Sequence, residues 1–207
     1  MQPRPTCKSR PGTSEMKLLI LNGSPRKDGI VARMLHTVES EAMTRGITTV
    51  FLDISDLQVQ SCKGCMACRT QGACVLPDDD SLRVLRELRE ADAVALGAPC
   101  YWGNIPGRFK MLFDRLVYGL IQDRPKGFPG PLHRNKRAII ISTCTTPYPF
   151  NILFRQSRGA ANAMREILKQ SGFKTTGHIE KGGTKRHPKL TDRDIRKCRR
   201  AVGKLLS

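Results

Sequence analysis

Short apolar runs alternate with amphipathic segments along most of this 207-residue chain. Runs of Leu, Ile, Val and Ala are typical of buried strands, and apolar residues spaced three and four positions apart are typical of helices. The predicted strands cover residues 18–22, 48–53, 93–99, 138–143 and, more weakly, 173–179. The predicted helices cover residues 28–44, 80–90, 106–122, 158–170 and 192–206. Five strands with intervening helices predict an α/β domain built on a doubly wound parallel sheet.

The two ends of the chain differ from this alternating region. Residues 1–15 contain three prolines and no apolar periodicity, so we expect a disordered N-terminal extension. Met16 begins the first strand-like run and is a candidate for the true start. Residues 16–180 form the predicted domain, and residues 181–207 form a basic tail with a final helix. The predicted apolar side of that helix consists of Ile195, Val202 and Leu206.

The chain is strongly basic, with 36 Lys and Arg residues against 18 Asp and Glu residues and a net charge of +18. Residues 181–207 contain many of these basic side chains and no aromatic residue. This pattern favours a solvated face that attracts anionic cofactors or acidic redox partners, and a nucleic-acid-binding module is the less favoured alternative. The chain has no run of eighteen apolar residues and no basic-then-apolar N-terminal pattern, so we expect no membrane segment and a cytoplasmic location.

Four cysteines fall within thirteen residues, at Cys62, Cys65, Cys68 and Cys74. Their Cys-x2-Cys-x2-Cys-x5-Cys spacing favours an iron–sulfur cluster, because three thiolates in a tight loop can wrap one face of a cubane and the fourth can close it. Zinc is the first rival, although the chain has no second Cys-x2-Cys pair and its four histidines are scattered. A disulfide framework is disfavoured because such a run pairs poorly within itself. The motif makes redox chemistry the leading hypothesis.

The segment after the first strand, residues 23–29, leads directly into a helix. Gly23 permits a sharp turn, Ser24 offers a hydroxyl group, and Arg26 offers a guanidinium group to phosphate oxygens. The helix N-terminus adds free N–H groups and the positive end of its dipole. The segment lacks both GxxxxGK[ST] and GxGxxG, so nucleotide hydrolysis and Rossmann-type dinucleotide binding are not expected. We predict a phosphate site here, with an ordinary capped turn as the alternative.

Two further loops follow the third and fourth strands, where ligands of such sheets bind. After the third strand, Tyr101 and Trp102 are suited to flank a planar ring, and Gly103 and Asn104 offer backbone approach and amide groups to its edge. After the fourth strand, the hydroxyl-rich and proline-rich segment 142–151 is a candidate for completing the same pocket. A purely structural loop is the alternative for that segment.

Three segments, in the order GSPR, CKGCMACRTQGACVLPDDD and APCYWGNIPGRFKMLFDR, resemble the iron–sulfur flavoprotein branch of the NADPH-dependent FMN reductase family. The resemblance covers roughly residues 16–180. It implies a flavodoxin-like fold with sheet order 2-1-3-4-5, an FMN cofactor, and a homodimer or homotetramer that completes the flavin site. It also implies a [4Fe–4S] cluster on Cys62, Cys65, Cys68 and Cys74. The implied FMN-binding residues are Ser24 and Arg26 at the phosphate, and Pro99, Tyr101, Trp102, Gly103, Asn104 and Thr145 around the ring.

Two segments depart from the family pattern. Ile30 and Val31 follow the phosphate loop's glycine, where family members usually have Asn-Thr, and the loop CTTPYPFN lacks the glycines common in the family. The other four cysteines are assigned no role. Cys7 and Cys198 lie in tail-like segments. Cys100 and Cys144 lie in the pocket loops, where small buried side chains are the favoured interpretation and a functional thiol near the flavin is the alternative.

The leading hypothesis is an FMN-dependent electron-transfer oxidoreductase in which the cluster exchanges single electrons with the flavin. The flavin carries the chemistry, so no catalytic acid or base is required. The expected electron donors are NAD(P)H or an acidic protein such as ferredoxin, which the basic surface would attract. A cluster-free NAD(P)H-dependent FMN or quinone reductase is the alternative.

Overall fold

The computed structural model describes residues 16–124 and 129–207. Residues 1–15, for which disorder is predicted, lie outside these ranges, and so does Cys7. Met16, the candidate start, is the first described residue. The described chain contains a five-stranded parallel sheet and a small two-stranded antiparallel sheet. The order of the parallel sheet is β2-β1-β3-β6-β7, which is the predicted order 2-1-3-4-5 when its five strands are numbered alone. The predicted flavodoxin-like fold is confirmed.

The strands and helices follow one another as the apolar pattern predicts. The strands are β1 (Lys17–Asn22), β2 (Thr48–Asp53), β3 (Ala93–Pro99), β4 (Ile121–Gln122), β5 (Gly130–Pro131), β6 (Arg137–Thr143) and β7 (Lys174–Lys181). The helices are α1 (Ile30–Thr44), α2 (Ala67–Gln71), α3 (Asp80–Glu90), α4 (Gly107–Leu120), α5 (Phe150–Leu153), α6 (Arg158–Ser171) and α7 (Asp192–Leu206), with a short 3-10 helix at Ile54–Asp56.

Apolar side chains cover both faces of the parallel sheet. In the strand β1, Leu19 and Leu21 belong to the cluster formed with α3, α4 and α6, whereas Leu18 and Ile20 belong to the cluster formed with α1 and α7. Burial on both faces explains why the strands are continuous apolar runs rather than alternating ones. Because β1, β3 and β6 pair in parallel, their carboxyl ends lie at the same edge of the sheet.

Three local differences from the sequence-based expectations have simple physical reasons. The helix α1 begins at Ile30 rather than at residue 28, because the backbone of its N-cap residue Gly29 is extended. The helix α4 ends at Leu120, since the next two residues form β4 and pair with β5. The predicted strand at 173–179 extends to Lys181.

The apolar face of α7 is also different from the predicted one. Leu206 is half exposed, and the side chains that pack against α1 and the sheet include Cys198, Val202 and Leu205. These positions recur at helical spacing and place Leu206 just beyond the buried stripe. Cys198 was predicted to lie in a tail-like segment, but it is a fully buried core residue. None of the helices within the described ranges is long and apolar enough to cross a membrane.

Asp194 fixes the N-terminus of α7. It accepts hydrogen bonds from the Thr191 N–H (3.0 Å) and hydroxyl (2.8 Å), and the Lys181 ammonium lies 2.7 Å away with both side chains largely buried. Burial raises the pKa of Asp194, but the bonds from Lys181 and Thr191 outweigh burial and hold the pKa below its ordinary value. The pair joins the end of β7 to the start of α7.

Replacing Asp194 by alanine is expected to lower the free energy of unfolding by about 3–5 kcal/mol, because the change strands a buried lysine ammonium and removes the helix cap. Chemical denaturation measures the effect, and Asp192→Ala, in the same first turn but exposed, is the matched control. Because the folded-state pKa of Asp194 is depressed, its stabilisation is present above about pH 4 and is lost as the pH falls through the folded-state pKa. Equal stabilities of the two variants at neutral pH would contradict this account.

Candidate functional site

A cavity of about 540 Å³ lies beyond the carboxyl ends of β1, β3 and β6. The loop after β1, the first turn of α1, the loops after β3 and β6, and the segment after β7 surround it. Its lining residues are Ser24, Arg26, Lys27, Asp28, Gly29, Ile30, Val31, Arg33, Pro99, Cys100, Tyr101, Thr143, Cys144, Thr145, Thr184 and Pro188. The position is the one at which open α/β sheets bind ligands.

The N-terminus of α1 forms one wall of the cavity. Gly29 makes no side-chain cap and the first turn contains no acidic residue, so the first N–H groups of α1 are free to meet a ligand, although the Asp28 carboxylate also lines this wall. The exposed Arg26 stands at this wall, and Lys27 and Arg33 also contribute to the lining. Lys27 is paired with Asp56 at 2.8 Å, so Arg26 and Arg33 beside the uncapped helix start are the cations that make this wall suited to a phosphate group.

The phosphate-site loop is held by a residue that the sequence analysis did not single out. The side chain of the buried Asn22, at the end of β1, accepts a hydrogen bond from the Ser24 N–H (3.1 Å) and donates one to Asp53 (2.6 Å). The Ser24 hydroxyl in turn accepts a hydrogen bond from the Arg26 N–H (3.2 Å). The sequence feature that could have identified Asn22 is a polar residue at the end of an otherwise apolar strand.

Gly23 allows the chain to turn against the helix α4. A Cβ atom at this position would lie 2.2 Å from the ring of Phe109, so any side chain there would displace a buried aromatic residue. The glycine is therefore required by packing beneath the cavity.

The loop after β3 reverses direction immediately beyond the cavity. Tyr101 and Asn104 exchange two backbone hydrogen bonds of 2.8 and 2.9 Å, and the two central residues, Trp102 and Gly103, have φ values of 51° and 74°. A side chain at Gly159 would overlap the Gly103 carbonyl oxygen, so the turn lies directly on the start of α6. This tight turn directs the Trp102 side chain fully into solvent.

The structure brings five of the eight sequence-predicted flavin residues to the cavity: Ser24, Arg26, Pro99, Tyr101 and Thr145. Trp102, Gly103 and Asn104 do not line it, because the turn carries them away after Tyr101. Ile30 and Val31, which depart from the family pattern, both line the cavity, but their apolar side chains offer no hydrogen bond to a phosphate, and Val31 also packs into the core.

A fourth segment of the wall was missed by sequence reasoning. Residues that follow β7 return to the cavity because Gly183 donates a 2.8 Å hydrogen bond to Thr146, and the Thr184 hydroxyl donates a 3.0 Å bond to the Cys144 carbonyl. Thr184 and Pro188 thus close the side of the cavity next to β6. The loop after β6 and the segment after β7 are far apart in sequence. They meet only because β6 pairs with β7, so the sequence alone does not reveal this part of the wall.

The cysteine motif forms a second site on the face of the sheet covered by α3 and α4. Gly64, Met66 and Gly72 have positive φ values, which wind the loop tightly around the short helix α2. Asp79 closes the base of the loop by accepting a 2.9 Å hydrogen bond from the Gln60 N–H, and it also caps α3 through the Ser81 N–H.

The four motif thiols line one small cavity of about 20 Å³ together with Asp114 and Arg115 of α4. Burial raises the pKa of the Cys68 thiol, and the neighbouring Cys74, Cys62 and Cys65 thiols raise it further, in that order. Within residues 16–124 and 129–207, however, no three Cys, His, Asp or Glu side chains are arranged to hold a metal ion as they stand. Four thiolates are the donor set of many iron–sulfur clusters, so the motif is a candidate cluster site.

A buried arginine faces this cysteine cavity. Arg115 is 3% exposed, donates a hydrogen bond to the Cys74 sulfur atom, and forms a 3.0 Å ion pair with the buried Asp79. Its Nε atom has no hydrogen-bond partner among the residues that the structure describes. The sequence analysis assigned α4 no chemistry, because helical spacing alone does not reveal which side chain meets a distant loop.

Comparison with known proteins agrees with this geometry. A family model described as NADPH-dependent FMN reductase matches residues 16–178. The iron–sulfur flavoprotein of Methanosarcina thermophila is 40% identical over 102 residues, which cover 49% of this chain and 53% of that protein. An iron–sulfur flavoprotein of Methanocaldococcus jannaschii is 34% identical over 100 residues, covering 48% and 51% respectively. The chain spans about half the length of the curated relatives it matches.

Among solved structures, the FMN-dependent NADH-azoreductase of Bacillus anthracis in complex with FMN superposes with a TM-score of 0.71 at 13% identity, covering 92% of this chain and all of that one. A doubly wound sheet with an anion-binding cavity at the ends of its first and third strands is the arrangement of flavodoxin-like proteins. The chain belongs to the NADPH-dependent FMN reductase family. The relatives named above carry the name iron–sulfur flavoprotein. The resemblance drawn from the sequence is confirmed.

Proposed function

We propose that this protein is an FMN-dependent electron-transfer oxidoreductase in which a [4Fe–4S] cluster exchanges electrons with the flavin. The observation that carries the proposal is the presence of two built sites in one domain. One is an open cavity with a cationic helix start, and the other is a cavity lined by four thiols.

The residues of the larger cavity fit FMN. Arg26, the Ser24 hydroxyl and the first N–H groups of α1 would hold the phosphate. Pro99, Tyr101 and Thr145 would line the ring, with Tyr101 offering an aromatic surface beside it. When bound, FMN supplies both hydride and single-electron chemistry, so the residues of the chain have to bind, orient and shield it rather than donate protons.

The four motif cysteines would hold the cluster, which supplies single-electron transfer when bound. Arg115 would add a cationic hydrogen-bond donor beside Cys74 and partly compensate the negative charge of four thiolates. The ion pair with Asp79 holds the guanidinium group in place.

The proposed donors are NAD(P)H and an acidic carrier such as ferredoxin. The net charge of +18 favours docking of an acidic protein. Mixing the anaerobic protein separately with NADH, NADPH and reduced ferredoxin tests the function, with bleaching of the bound-flavin absorbance as the readout. Flavin that stays oxidised with all three donors would contradict the proposal.

A cluster-free NAD(P)H-dependent FMN or quinone reductase is the second candidate. The observation that favours it is the geometry of the motif, whose thiols within the described ranges are not arranged for metal ligation and include two exposed cysteines, Cys62 and Cys65. A variant with all four motif cysteines replaced by serine separates the candidates. Unchanged NAD(P)H-dependent turnover and unchanged ferredoxin-linked flavin reduction in that variant would favour the cluster-free reductase.

We also propose that the protein is a homo-oligomer whose interface includes the exposed apolar residues of the loops after β3 and β6. Contiguous exposed apolar surface commonly marks an association site. The exposed side chains are Trp102, Tyr148, Phe150, Leu153 and Phe154. Phe150 and Phe154 stack with ring centroids 6.1 Å apart. Tyr101 and Thr145 of the same two loops line the flavin cavity, so the proposed interface lies next to the proposed flavin site.

Replacing Phe154 by glutamate is expected to convert the oligomer to monomer at micromolar concentration, since the change places a charge in the apolar interface. Size-exclusion chromatography with light scattering measures the mass. Met43→Glu is the matched control, because Met43 is equally exposed at 62% but lies on α1. A wild-type monomer, or equal masses for both variants, would contradict the proposed interface.

A further inference from the structure

Two cysteines outside the motif face each other at the edge of the flavin cavity. Cys100 is the first residue after β3, and Cys144 is the first residue after β6. The two strands pair in parallel with Pro99 opposite Thr143, and the Cys100 N–H continues the ladder with a 2.7 Å hydrogen bond to the Thr143 carbonyl. Cys100 and Cys144 are therefore the next opposed pair.

At the usual strand spacing, this register places the two Cα atoms within the range that a disulfide spans. Neighbouring strands lie about 4.7–4.9 Å apart, and disulfides join Cα atoms about 4.4–6.8 Å apart. Both cysteines are free thiols and both line the cavity. Burial raises the pKa of the Cys144 thiol, and a charge on Cys100 raises it further, as expected for close neighbours.

We propose that Cys100 and Cys144 form a redox-active dithiol that exchanges two electrons with a flavin bound in the cavity. In the oxidative direction, both S–H bonds break and one S–S bond forms. Two electrons and one proton pass to an oxidant of the isoalloxazine class, and the second proton passes to water. The electron exchange rests on the proposed FMN site, whereas formation of the disulfide does not.

The buried surroundings of Cys144 suit such a pair. Its S–H group lies 3.4 Å from the Thr146 carbonyl oxygen, and the nearby Ser157 hydroxyl lies 2.5 Å from the Glu180 carboxylate. Cys198 is also buried but lies in the core with α7, where burial raises its pKa to about 12, and it does not line this cavity.

Peptide mapping tests the pairing directly on the full-length protein. Trypsin places Cys100 alone in peptide 90–108 and Cys144 alone in peptide 138–155, so a link between them is unambiguous. After anaerobic oxidation with diamide and alkylation, we expect the two peptides to be disulfide-linked, and the link to disappear with dithiothreitol. Alkylated free thiols at both positions, or links from either position to the motif cysteines, would overturn the pairing.

Reductive titration of diamide-treated holoprotein tests the exchange with the flavin. Wild type is expected to take up two more electrons per FMN than Cys144→Ser, and Cys198→Ala is expected to match wild type. Equal electron counts for wild type and Cys144→Ser would overturn the exchange. A linked peptide pair in a protein that retains no FMN would reject the proposed function and the electron exchange, and would leave the dithiol pairing standing.

Discussion

Replacement of Cys65 by serine is expected to abolish the iron–sulfur cluster while leaving the flavin bound. Iron and acid-labile sulfide should fall from about four of each per chain to near zero, because a cubane needs all four thiolates. FMN content should remain at the wild-type value, since no residue of the motif lines the flavin cavity. Anaerobic purification followed by iron, sulfide and flavin analysis measures all three quantities.

Cys198→Ala is the matched control for this loss, because it removes a thiol from the core without touching either cavity. It should retain iron, sulfide and FMN. Full iron and sulfide in Cys65→Ser would mean that Cys65 is not a ligand. The absence of iron from wild type and variant alike would support the cluster-free reductase.

Replacement of Arg26 by alanine is expected to weaken FMN binding by about 10- to 100-fold, since a charge-assisted hydrogen bond contributes about 1.5–3 kcal/mol. The remaining affinity would come from Ser24, the first turn of α1 and the ring contacts. Titration of apoprotein with FMN, followed by flavin fluorescence, gives the Kd. Wild-type affinity should also fall with rising salt more steeply than that of the variant.

Arg199→Ala provides the control for net charge, because Arg199 is an exposed arginine on α7 that pairs with Glu41 away from the cavity. Its Kd for FMN should match that of wild type. Equal Kd values for Arg26→Ala and Arg199→Ala would show that Arg26 does not hold the phosphate.

The sequence predicts the scaffold well where local signals agree. The helix α3 and the helix α7 match their predicted bounds because each has a clear apolar stripe and a capping residue, Asp79 and Thr191 respectively. The strands β2 and β3 match because they are short apolar runs between helices. Such signals depend only on neighbouring residues.

The parts of the site that escaped prediction depend on long-range packing or on backbone direction. Trp102 lies in the expected loop, yet a turn with two positive φ values sends its side chain into solvent. Thr184 reaches the cavity because it bonds to the loop after β6, and Arg115 meets Cys74 across 41 residues of sequence. Sequence spacing specifies which residues share a loop or a helix face, and tertiary packing decides which of them meet.

The most direct test of the central proposal is the cofactor content and redox behaviour of anaerobically purified protein, measured by flavin, iron and sulfide analysis with EPR spectroscopy. We predict one FMN and one [4Fe–4S] cluster per chain, with a reduced-cluster EPR signal that disappears when an electron acceptor for the flavin is added. A protein that carries neither flavin nor iron, or a cluster signal that persists unchanged after the flavin is reoxidised, would contradict it.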